Sequence, residues 1–175
     1  MSNNQTATIQ ATELKHTLSV LLKHNLNSFS RIIGIFSGKG FEIDSITFAS
    51  EADPGMARIT VTTYGDEKTV EQITKHMHNV IDVLKVTDLT HKKFIERELA
   101  LIKVSSSTAG RTEIMLVAQA FNAKVIDLSQ EKLSLEVTGN RDKIDALIEV
   151  LRPFGIISVA RTGSVAMKRE FKGLA

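Results

Sequence analysis

With 175 residues, 42% of them hydrophobic, the chain can bury one ordinary core or two small ones, since domains commonly run to ~100–150 residues. Its 22 basic and 20 acidic residues are interspersed and leave a formal charge of +2, which excludes a general pull on nucleic acid, and the absence of cysteine excludes disulfides, thiol catalysis and Cys-based zinc sites. No apolar run reaches the ~18–20 residues of a membrane span, and Met1-Ser2-Asn3-Asn4-Gln5-Thr6 lacks the basic start and apolar stretch of a secretory signal, so a cytoplasmic protein is expected.

Residues 1–13 read as a flexible polar extension. His16 to Leu22 then reads as a strand, and Phe29, Ile32, Ile33 and Phe36 recur at i, i+3, i+4 and i+7, which gives a helix one apolar face. Gly38 and Gly40 supply its stop. Alternation from Phe41 to Phe48 predicts a half-buried strand, and Asp53-Pro54-Gly55 turns the chain into a partner strand at Arg58 to Thr63. A second helix follows Asp66, its N-cap, with Val70, Ile73, Met77 and Val80 or Ile81 turned inward; Val83 to Val86 is a fourth strand.

The order β-α-β-β-α-β then repeats. Leu99 to Val104 is a strand, and Ile114, Val117, Ala118 and Phe121 reproduce the spacing of the first helix. Lys124 to Leu128 and Leu133 to Val137 form a hairpin, Ile144, Leu147, Ile148 and Leu151 line a helix, and Ile156 to Ala160 closes the unit. The fold class is therefore α+β, with two tandem ferredoxin-like modules over residues 14–90 and 97–175, joined by a linker at 91–96 that starts with His91-Lys92-Lys93. Ser105-Ser106-Ser107-Thr108 with Ala109-Gly110 reads as a loop inside the second module. Leu18-Ser19-Val20-Leu21-Leu22 reads as apolar on both sides, so the sheet face away from the helices is expected to be covered by oligomerisation.

Catalytic patterns are missing. His16, His24, His76, His78 and His91 include no i, i+4 pair suited to a metal, and Gly38-Lys39-Gly40 follows a helix where a phosphate loop would open one. Ser105-Ser106-Ser107 has no neighbouring base. An RNA-recognition sheet needs stacking aromatics on its central strands, whereas the third strand reads Arg58-Ile59-Thr60-Val61-Thr62-Thr63. What remains is the first strand–helix junction at His24 to Ser28, where unpaired backbone N–H groups and a partial positive charge can receive the carboxylate of a free amino acid. The plainer reading is that Asn27 and Ser28 cap the helix.

Four stretches carry a resemblance: Ser30-Arg31-Ile32-Ile33-Gly34-Ile35-Phe36-Ser37-Gly38-Lys39-Gly40-Phe41; Val80-Ile81-Asp82-Val83-Leu84-Lys85-Val86; Glu96-Arg97-Glu98-Leu99-Ala100-Leu101-Ile102-Lys103-Val104; and Leu151-Arg152-Pro153-Phe154-Gly155-Ile156 with Ala160-Arg161-Thr162-Gly163. From about His16 to Lys168 the chain resembles the regulatory small subunits of acetolactate synthase (acetohydroxyacid synthase), whose first half is an ACT domain. The resemblance implies a homodimer that binds neither nucleic acid nor membrane, holds no cofactor and engages a large catalytic subunit. That subunit carries thiamine diphosphate, Mg²⁺ and FAD and makes acetolactate or acetohydroxybutyrate for valine, leucine and isoleucine synthesis.

The resemblance also implies that the second half helps engage the catalytic subunit, raising its activity, and that valine inhibits by binding between two paired ACT domains. The family's effector loop, Asn-x-x-Gly followed by a small residue and Leu, aligns without gaps on His24, Asn25, Leu26, Asn27, Ser28 and Phe29; Ser30, Glu42 and Ile43 complete the implied site. Two key types differ in the loop, and Glu42 replaces a usual Asn. The expectation is that valine binds weakly or not at all while activation persists, with Asn27 suited to a left-handed turn if the loop requires one. A free-standing amino-acid sensor for another enzyme is the alternative reading.

Overall fold

The computed structural model describes residues 14–106 and 110–170; the extension at 1–13, and Ser107 to Ala109 of the anticipated loop, lie outside the described residues. Strand β1 (Leu14–Lys23), helix α1 (Leu26–Lys39), β2 (Ile43–Ser50), β3 (Met56–Gly65), α2 (Glu67–His78) and β4 (Val83–Asp88) form the first module, an antiparallel sheet in the order β2-β3-β1-β4. The second comprises β5 (Phe94–Ser105), α3 (Arg111–Ala120), β6 (Lys124–Leu128), β7 (Lys132–Gly139), α4 (Arg141–Leu151), a 3-10 turn at Arg152–Phe154 and β8 (Ile156–Arg161), in the matching order β6-β7-β5-β8.

Each module has its own core. Leu18, Val20, Leu22, Ile59 and Val61 of the first sheet close on Ile32 and Phe36 of α1 and on Val70, Ile73 and Met77 of α2. In the second, Ala100, Ile102, Val104, Leu133 and Leu135 meet Ile114 of α3 and Ile144, Leu147 and Leu151 of α4. Each of these side chains larger than alanine contributes ~1.5–3 kcal/mol of burial, which overrides weak local preferences.

The repeat extends to the helix ends. Gly40 caps α1 at φ +69°, and Phe41 N–H donates to Phe36 O at 3.0 Å. Asn122 takes the equivalent place after α3 at φ +51°, and Ala123 N–H donates to Ala118 O at 2.8 Å. Glycine and asparagine bear a left-handed backbone at least cost.

Three expectations change. Phe41 and Glu42 precede β2, because Phe41 finishes the α1 cap and sets its ring edge-on to Phe36 at 6.4 Å. Phe94 to Glu96, read as linker, already run in β5, because a further strand, β9 (Val165–Lys168), pairs with them from Phe94↔Lys168 to Arg97↔Val165. The face of the first sheet away from its helices is largely polar, carrying Ser19, Arg58, Thr60 and Thr62 beside Leu21, because strand side chains alternate and the apolar set points to the helices. Across a cleft of about 740 Å³ that face looks onto Ile95 of β5 and Val165 and Met167 of β9. The second module therefore covers part of it within one chain.

Candidate functional site

The junction between β1 and α1 is tightly tied. Asn25 is the N-cap: its side chain accepts from Asn27 N–H at 2.9 Å, and its carbonyl accepts from Ser28 and Phe29 N–H at 3.1 and 3.2 Å. The cap is therefore Asn25 where Asn27 and Ser28 were expected, and Asn27 sits inside α1 without a positive φ. Asn27 needs no left-handed turn here, because the extended Asn25 makes the bend.

His24, Asn25, Leu26 and Asn27 are exposed, Leu26 at 72%, whereas Ser28 is buried. Ser28 Oγ donates to Asp82 Oδ2, and Asn25 Nδ2 approaches the same oxygen at 3.5 Å. Lys23 N–H reaches Asp82 O at 3.0 Å and His24 N–H reaches Gly55 O at 2.8 Å. Phe48 of β2 carries the rings of His24 at 5.4 Å and Phe29 at 5.0 Å. Asp82 and Phe48 were missed in the sequence. Asp82 sets a carboxylate beside the first turn of α1, the position a ligand's carboxylate would seek.

Glu42 and Ile43 do not join this group. Lys23 pairs with Met56 and Ile43 with Thr63, so the two clusters stand seven β3 residues apart, ~23 Å at ~3.3 Å per residue. His24, Asn25, Leu26, Asn27, Ser28, Phe29 and Ser30 thus gather at one end of the first sheet, and Glu42 and Ile43 at the other. Glu42 is exposed, and its carbonyl accepts from Thr63 Oγ1.

At the Glu42 end a charged chain leaves the module. Asp44 Oδ2 accepts from Thr62 Oγ1 at 3.0 Å and from Arg141 Nη1 at the start of α4. Arg141 Nε approaches Asp145 Oδ2 at 3.4 Å, and Asp145 Oδ1 accepts from Arg161 Nη1 at 2.6 Å. Arg161 grips Glu98 with both arms, Nε at 2.7 Å and Nη2 at 2.9 Å. The Glu98 carboxylate, only 4% exposed, holds the Arg161 guanidinium above its ordinary range, with Asp145 acting the same way and burial against it. Lys15 and Ser164 meet on Glu96 Oε1 at 3.3 and 2.6 Å.

Among the described residues, no group of three or more His, Asp or Glu side chains is placed to hold a metal ion, and no helix is long and apolar enough to cross a membrane.

Comparison with known proteins gives a consistent family. Residues 18–85 match the model of the AHAS small subunit-like ACT domain, and 97–170 that of the small subunit of acetolactate synthase. Relatives include the acetolactate synthase small subunit of Aquifex aeolicus, 42% identical over 89% of this chain and 82% of the relative, and that of Bacillus subtilis, 41% identical over 89% and 91%. The acetolactate synthase small subunit from Thermotoga maritima, a solved crystal structure, superposes with a TM-score of 0.82 at 36% identity over 90% of this chain and 99% of that one. The chain therefore belongs to the family of acetolactate synthase small subunits, and its part in that enzyme is regulatory rather than catalytic.

Proposed function

We propose that two copies of this chain pair through their β2 edges, activate a large catalytic subunit of acetolactate synthase, and carry between them a weakened effector site for valine. The observation that supports a two-copy site is the separation of its residues. Strand β2 is an edge strand, with one flank unpaired among the described residues. An antiparallel pairing of two such edges about a two-fold axis brings the Glu42–Ile43 end of one copy to the His24–Ser30 end of its partner.

Such a site is unusually negative. Asp82 contributes a carboxylate at the loop end and Glu42 another at the strand end. Both oppose an amino acid's carboxylate and favour its ammonium, and no glycine opens the start of α1. Valine binding is accordingly weak while activation persists. The condensation chemistry, with thiamine diphosphate, Mg²⁺ and FAD, belongs to the large subunit.

The test is acetolactate formation by the cognate large subunit with and without this chain, followed by a valine titration and by sedimentation of the chain alone. A dimer that raises the rate and resists valine supports the proposal. A monomer, or no rise in rate, refutes it, and calorimetric valine affinity in the micromolar range refutes the weakened site.

A further inference from the structure

The modules are joined at β2 by charge rather than by a shared core. The buried clusters are separate, and the 740 Å³ cleft separates the open face of the first sheet from β9. The polar contacts beside it are few. Asp44 meets Arg141, Thr47 Oγ1 reaches Thr162 O at 3.4 Å, and Lys15 reaches Glu96.

Arg141 stands in the first turn of α4, where the helix dipole disfavours a cation. Its position is explained by its partners: Asp145 one turn on, and Asp44, 97 residues earlier. Asp44 is 12% exposed at its side chain and holds Thr62 as well, so its carboxylate relies on Arg141 for its opposite charge. It is also the residue after Ile43, on the irregular turn of register where β2 begins.

We infer that the Asp44–Arg141 bridge sets the orientation of the second module on the first, and passes the state of the β2 edge to the part of the chain that acts on the catalytic subunit. The last clause rests on the function proposed above; the first does not. Both are positioning residues. From Asp44 the path runs through Arg141, Asp145 and Arg161 to Glu98, at the heart of β5. A change in pairing at β2 thus reaches the central strand of the other sheet through five charged groups.

The chain has no cysteine, so spin labels on Glu71→Cys and Gln119→Cys, both on exposed helix positions, report the distance between modules without interference. The measurement uses full-length chain diluted with unlabelled chain, so that only pairs within one copy are read. The unsubstituted pair should give one narrow distance. Asp44→Asn and Arg141→Gln should each broaden it, and Asp44→Arg combined with Arg141→Asp should restore it, the acid now suiting the helix start. Activation of the large subunit should fall about fivefold in each single variant, the low end of ordinary inter-site couplings, and stay low in the exchange, because the acid placed at 141 restores the bridge but opposes Asp145 on the path to Glu98.

Unchanged distances in the single variants, or an exchange that restores nothing, overturn the bridge. A narrow distance in a chain that never activates a large subunit refutes the proposed function instead, and the orienting role is then decided by the distances.

Discussion

Ser28 Oγ donates a 2.5 Å hydrogen bond to Asp82 Oδ2, tying the first turn of α1 to the residue that leads into β4. A hydroxyl bound to a carboxylate is among the stronger hydrogen bonds, worth ~1.5–3 kcal/mol, and it fixes the β1–α1 junction from a neighbouring segment. The junction is hydrogen-bonded at its base and exposed at Leu26 and Asn27.

Replacing Asp82 with Asn should therefore tighten valine binding about fivefold, the effect of removing ~1 kcal/mol of like-charge repulsion near the ligand's carboxylate. Isothermal titration of the variant beside the parent chain checks this. Weaker binding in the variant would mean that Asp82 instead receives the ammonium.

Phe36 is 1% exposed in the middle of the first core. Phe36→Ala should cost ~3–5 kcal/mol, read by chemical unfolding followed through the first module. A loss below ~1 kcal/mol would show that α1 is not packed as described.

Two glycines should respond with opposite sign. Gly163 has φ +78°, and a Cβ there would meet Thr47 Oγ1 at 3.1 Å, so Gly163→Ala should destabilise by ~1–2 kcal/mol. Gly34 lies inside α1 with open space around it, so Gly34→Ala should stabilise by ~0.5–1 kcal/mol. Thermal unfolding midpoints that move in the same direction would contradict these surroundings.

Asp66 caps α2, and hydrogen bonds from Thr69 draw its pKa below the ordinary 3.8. A carboxyl with a depressed folded-state pKa adds stability above its unfolded value and loses it as the pH falls through the folded one. The stability advantage of the parent chain over Asp66→Ala should accordingly be full at neutral pH and shrink below about 3.8. Denaturant titrations from pH 3 to 7 measure it, and a gap that widens on acidification would reverse the assignment.

The parts of the fold legible in the sequence are those with a local period. The spacing of Ile32 and Phe36 gives the buried face of α1 directly, and Ile144, Leu147 and Leu151 give that of α4. Strand β9 is four residues long and has meaning only opposite Phe94 to Arg97, so no local pattern announces it. Asp82 and Arg141 escape for the same reason: each is an ordinary surface residue until a partner 54 or 97 positions away is beside it. The His24 to Ser28 junction is legible as the start of a helix and the family motif extends it to Ser30, but neither signal carries information about the sheet end where Glu42 lies.

Strand β5 is 12 residues long, ~40 Å at ~3.3 Å per residue. Its first residues are clasped by β9 beside the first module, while its last are embedded in the second core. Pivoted where the β9 pairing ends at Arg97, it would act as a lever. With ~26 Å of strand between Arg97 and Ser105, a tilt of about 4° at the clasp would carry the Ser105 end by about 2 Å, so a slight adjustment beside the N-terminal half is felt at the far rim of the C-terminal half.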